Sequence, residues 1–184
     1  MKKNKQTRGK TFRVGDKIID AGQVYRIFKI EEKEDAKNGI EKVIYFRLYY
    51  KTERNRNLVC SIPVKNIDLA CIRKPISKDK MKKLLKKLSE KEAKKEPVNP
   101  TWAKEQLRLN RVGATARILK RLSLEKQDES TNFTGNNQNL LDLSIERLVE
   151  EIAFVLGISV AQASEKIKKA LWKGSSVSTP DAGL

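Results

Sequence analysis

Trp102 is followed closely by Lys104, Arg108 and Arg111. An aromatic ring beside such a basic cluster suits one kind of chemistry well. The ring fills or opens a base step, while lysine and arginine neutralise phosphates on either side. The other reading of Trp102 is a core residue anchoring the helix that it opens. A second basic set, Arg117, Lys120 and Arg121, follows on the next helical segment, facing away from Ile118, Leu119 and Leu122. It offers a further phosphate track or a solvated face.

Composition narrows the alternatives. The 184 residues hold 40 Lys and Arg against 23 Asp and Glu, a formal net charge of +17. Such a balance attracts polyanions and speeds encounter with them, without bearing on fold. There is no histidine, and Cys60 and Cys71 are the only cysteines. Two thiols without imidazole do not make a standard four-ligand zinc site, and the commonest general base is missing. No P-loop, dinucleotide fingerprint or nucleophile elbow is present. The expectation is a protein that is not an enzyme and uses no metal or cofactor. Both cysteines sit among apolar neighbours and read as small buried thiols rather than a disulfide. No apolar run approaches the roughly 20 residues that span a bilayer, and no apolar segment follows the basic start of the chain. The expected location is the cytoplasm, with no membrane partner.

The elements that would position these residues fall in two halves. Residues 1–11 read as a basic mobile arm. From Phe12 to about Ile76 the pattern is β. Phe12–Ile19 suggests a strand, a turn at Gly15-Asp16 and a second strand. Gln23–Glu32 alternates, with Val24, Arg26, Phe28 and Ile30 in one set and Tyr25, Ile27 and Lys29 in the other. Asn38-Gly39 is a hairpin signal; Val43–Tyr50 and Leu58–Pro63 are further strands. The aromatics Tyr25, Phe28, Tyr45, Phe46, Tyr49 and Tyr50 read as two faces of a small core rather than a base-stacking surface.

Ser77 caps a lysine-rich helix whose stripe is Met81, Leu84, Leu85 and Leu88, expected to pack on the β half. Residues 77–98 read as this helix plus a charged, proline-punctuated linker. Residues 99–173 then read as helices. Asn99-Pro100 opens the first, 114–124 forms the second, 127–138 is a loop, and 140–156 is the most periodic, stopped by Gly157. A capping box at Ser159–Gln162 opens the last, closed near Trp172 by a contact on the helical core. Residues 174–184 read as a disordered tail. The fold class is α+β: a small β module over 12–76 and an all-helical module.

Several runs, in order, resemble the bacterial CarD family of transcription regulators. They are Phe12-Arg-Val-Gly-Asp-Lys-Ile-Ile19, Ser61-Ile-Pro-Val-Lys-Asn66, Ile72-Arg-Lys-Pro-Ile-Ser77, Trp102 with Lys104, and Glu146-Arg-Leu-Val-Glu-Glu-Ile-Ala153. The chain departs from that pattern where Asp20-Ala-Gly22 replaces a longer Tyr-Pro-x-His-Gly segment. The resemblance implies a Tudor-like β module that binds the RNA polymerase β subunit. It also implies a helical module that contacts promoter DNA at the upstream edge of the bubble, with Trp102 as a minor-groove wedge. It aligns Lys33 and Ser61 with the family's polymerase contact. Relatives carry arginine at the Ser61 position, for which Lys51, Arg54 and Arg56 can compensate. The implied protein is a nucleoid-associated monomer that stabilises the open promoter complex. The alternatives are an RNA- or ribosome-binding protein and a nonspecific nucleoid protein.

Overall fold

The structure, a computed structural model, describes residues 11–35, 39–91 and 96–175. Residues 1–10 of the expected arm, Asn38 of the hairpin signal and residues 176–184 of the expected tail lie outside those residues. Four strands form one antiparallel sheet in chain order: β1 (Lys17–Asp20), β2 (Gln23–Asp35), β3 (Gly39–Leu48) and β4 (Cys60–Pro63). Phe12 to Val14 are not a strand, contrary to expectation. The Arg13 backbone N–H donates to the Asp16 carboxylate at 3.1 Å, and Gly15, at φ +94°, donates to the Ile27 carbonyl at 2.8 Å. The chain therefore turns before it pairs.

A bulge resolves the alternation of β2. Tyr25 pairs with Leu48 and Ile27 with Phe46, but beyond the register shift after Ile27 it is Ile30 that pairs with Ile44. The extra residue, Phe28, moves Ile30 onto the face of Tyr25 and Ile27, so neither strict set describes the strand. That face, with Ile18, Phe46, Leu48, Ile67 and Ile72, forms the sheet's core, where the Tyr25 and Phe46 rings meet edge-on at 5.2 Å. The outer edge of β1 is covered by the returning chain: Ile19 and Arg73 exchange both backbone hydrogen bonds, at 2.7 and 3.2 Å.

Five helices follow: α1 (Lys78–Ser89), α2 (Pro100–Arg108), α3 (Val112–Gln127), α4 (Gly135–Leu156) and α5 (Val160–Ser175). Their caps follow the sequence closely. Ser77 Oγ accepts from the Lys80 N–H, Asn99 Oδ1 from the Trp102 N–H, and Ser159 and Gln162 satisfy one another's backbone donors. Gly157 closes α4 in the left-handed conformation, the usual role of a glycine just past a helix end. The polar stretch 127–138 is only partly a loop, because Thr134 Oγ1 caps α4, which begins at Gly135 ahead of the leucine stripe.

α1 corrects the packing expected of it. Its Met81, Leu84 and Leu88 are buried with Leu107, Ile118, Leu122, Leu148, Ile152 and Ile167 in one helical core, and it packs on α5, α3 and α4 rather than on the sheet. Each fully buried side chain contributes about 1.5–3 kcal/mol. Repulsion along the lysine face costs only about 0.2–0.5 kcal/mol per pair, so burial wins. Val98, in the expected linker, is buried as well. α1 is thus part of the helical body. Trp172 is the second correction. It is 76 % exposed and does not cap the helical core. Cys60 and Cys71 are free and half-buried rather than buried.

Candidate nucleic-acid interface

The two cores meet at a polar joint that orients everything else. The Arg73 guanidinium donates two parallel bonds to the fully buried Glu151 carboxylate, at 2.7 and 2.6 Å, and Glu151 also accepts the Ile76 N–H at 2.9 Å. Arg73 Nε donates to the Asn110 carbonyl at 2.6 Å, while the Asn110 amide donates to the carbonyls of Ile19 and Cys71, both at 3.0 Å. Glu150 accepts the Val24 N–H at 2.9 Å, and burial pushes its carboxyl above the usual range. The β1–β2 turn sits so close to α4 that a Cβ on Gly22 would stand 2.3 Å from the Arg147 Cα. Bidentate geometry and full satisfaction of the carboxylate make the joint directional. Sheet and helices are held in one relative orientation.

None of these joint residues was legible as functional. Asn110 carried the best signal, since asparagine just past a helix end tolerates the positive φ, here 51°, that it adopts. Glu151 carried another, as an acid beside the apolar stripe of Leu148 and Ile152. Arg73 and Gly22 carried none outside the resemblance.

On α2, Ala103 and Leu107 face the core. Lys104 and Arg108, one turn apart, share an exposed flank, where Arg108 also pairs with Glu105 at 3.3 Å. Trp102 lies about 200° round the helix from Lys104, so the indole and these cations occupy different flanks. Trp102 remains 38 % exposed at the helix N-terminus. Arg111 is exposed at the N-cap of α3.

The second basic set divides. Arg117 is exposed, but Lys120 is buried, contrary to the outward face expected of it. Its Nζ donates to the carbonyls of Lys87, at 2.8 Å, and Glu90, at 2.5 Å. A lysine stem can cross an apolar surface and deliver its charge to the carbonyl end of a neighbouring helix. Lys120 thus closes α1 and is withdrawn from any phosphate track. Arg121 is half-buried and donates to the Glu96 carbonyl.

Positive charge also gathers around α1. A groove of about 610 Å³ between α1 and α3 has Leu84, Leu88 and Ala116 in its floor, with Lys80, Lys83, Lys87 and Arg117 around it. Among the described residues, no group of histidine, cysteine and acidic side chains is arranged to hold a metal ion, and no helix is long and apolar enough to cross a membrane.

The solvent face of the sheet has its own cluster. The Lys29 and Lys33 ammonium groups sit 5.2 and 5.3 Å from the Tyr45 ring centre, and Tyr45 pairs across the strands with Ser61 of the β4 edge. Lys33 and Ser61 are therefore brought together around Tyr45. Lys29, then Tyr45 and Lys33, hold the Glu31 carboxyl well down, at about 2. Lys51 and Arg54 lie apart, in the β3–β4 loop. The sequence matches no family model and no curated protein.

Proposed function

We propose that this chain is a CarD-type regulator of transcription, which docks on the RNA polymerase β subunit and stabilises the open promoter complex. The carrying observation is Trp102. Its indole is part-exposed on a basic helical body, at a helix start fixed by Asn99. A rigidly presented ring fills the gap at an already unstacked step at little cost, and so favours opened over closed DNA. Lys104, Arg108, Arg111 and Arg117 supply salt-sensitive, sequence-independent phosphate contacts elsewhere on the same body. The order of motifs resembling that family along the chain supports the same reading. The β module is read as Tudor-like, its β4 edge and the Lys33–Tyr45–Ser61 face meeting polymerase by strand addition or side-chain contact.

Native-gel mobility with purified bacterial RNA polymerase tests the docking. Co-migration is expected, weakened at least several-fold by Lys33→Glu combined with Ser61→Glu. No co-migration rejects the reading, and tighter binding to RNA than to forked DNA would put the RNA-binding alternative in its place.

A further inference from the structure

The most exposed tryptophan is not the one that the sequence singles out. Trp172 closes α5 with three-quarters of its surface in solvent, while Trp102 is 38 % exposed. It lines a shallow groove of about 660 Å³ between α1 and α5, whose floor is Leu85 and Ala170. Around it stand Lys86 of α1 and Lys166, Lys168, Lys169 and Lys173 of α5, with no acidic residue among the described residues of the lining. Lys166, Lys169 and Lys173 recur at three- and four-residue intervals and so form one stripe along α5. Lys168 is engaged by Glu165 at 3.0 Å. Ala163 and Ile167 bury the opposite face of α5, so the helix stays seated without the indole.

We infer that this α1–α5 groove is a binding site for single-stranded DNA, separate from the Trp102 flank. The charge calls for a polyanion, and the ring adds a requirement. A duplex keeps its base faces stacked inside, whereas a single strand offers them to an exposed aromatic while its phosphates track a row of cations. The apolar floor beside the ring gives a stacked base a second surface. DNA rather than RNA is named because the inference rests, in that one respect, on the proposal that the helical body holds DNA. In a melted promoter the single strand is present beside the duplex edge.

The test uses the full chain and no polymerase, so its outcome is separate from that of the docking experiment. In Trp102→Phe, Trp172 is the sole tryptophan, and its emission is titrated with an oligothymidylate of ~12 nucleotides, within the span of known single-strand sites. The expected result is salt-sensitive quenching, with duplex of the same length producing far less. In a parallel anisotropy titration, Trp172→Ala is expected to weaken oligothymidylate binding about five- to a hundred-fold. Lys166→Ala with Lys169→Ala should weaken it and flatten its salt dependence. Unchanged circular dichroism and melting of each variant show that the fold is kept. Absent quenching, equal quenching by duplex, unaltered affinity of Trp172→Ala, or tighter binding of oligouridylate each overturn the inference.

Discussion

At the scale of single residues, lysines of similar sequence context have opposite tasks. Lys120 is buried and donates to two carbonyls at the end of α1, whereas Lys104 is exposed on α2. Lys120→Met keeps the stem and loses those bonds. It should cost about 1.5–3 kcal/mol by urea unfolding and leave the salt dependence of DNA binding unchanged. Lys104→Ala should do the reverse, leaving stability within about 0.5 kcal/mol and reducing the salt slope by about 1. Glu150 gives a pH signature. Its carboxyl is raised above the ordinary 4.5 chiefly by burial, which the Val24 bond only partly offsets. The folded state therefore binds this proton more tightly than the unfolded chain. The cost of the buried charge is full above the raised value and is relieved as pH falls through it. Glu150→Gln should be more stable relative to wild type at neutral pH than near pH 4.5. A stability difference that does not change across that window would show that the charge carries no such cost.

At the scale of elements, the joint decides whether sheet and helices act as one body. Gly22 sits at φ +87° with the Arg147 backbone where its Cβ would be. Gly22→Ala should lower stability by about 2 kcal/mol or more, read as a fall in melting temperature. Glu151→Ala should cost about 3–5 kcal/mol by leaving Arg73 without its buried partner. The elements themselves were largely legible. Ser77, Asn99, Gly157 and the Ser159–Gln162 box are local signals, and each works through a bond within a few residues of itself. What was hidden depends on distant partners. The helix α1 was expected on the β half because its stripe of Met81, Leu84 and Leu88 does not say which core receives it. Trp172 suggested a core contact because hydrophobicity alone does not distinguish an indole that packs from one left outside. The bulge at Phe28 shifts the strand phase through pairing with β3, which no local pattern in β2 encodes. Of the candidate site, Trp102, Lys104, Arg108, Arg111 and Arg117 lie at the surface. Lys120 does not, because its reach to the α1 carbonyls is a tertiary contact.

At the scale of the whole molecule, the account rests on rigidity joined to charge. A charge of +17 attracts polyanions of any kind through its field, and that term alone does not distinguish a bubble from a duplex. Discrimination needs a group that gains only when bases are unstacked, held at a fixed place relative to the docked polymerase. In the proposed function, the Arg73–Glu151 joint would supply the fixed place, and Trp102 the discriminating ring. A ligand shifts an equilibrium only by its differential affinity for the two states, so removing the ring should abolish the effect on opening without abolishing binding. The direct measurement is the lifetime of an open promoter complex formed by purified bacterial RNA polymerase after competitor is added, with wild type or Trp102→Ala present at saturation. The account predicts that wild type lengthens the lifetime severalfold and that Trp102→Ala loses most of that gain while binding polymerase as before. Equal lengthening by both proteins, or none by wild type, would contradict it.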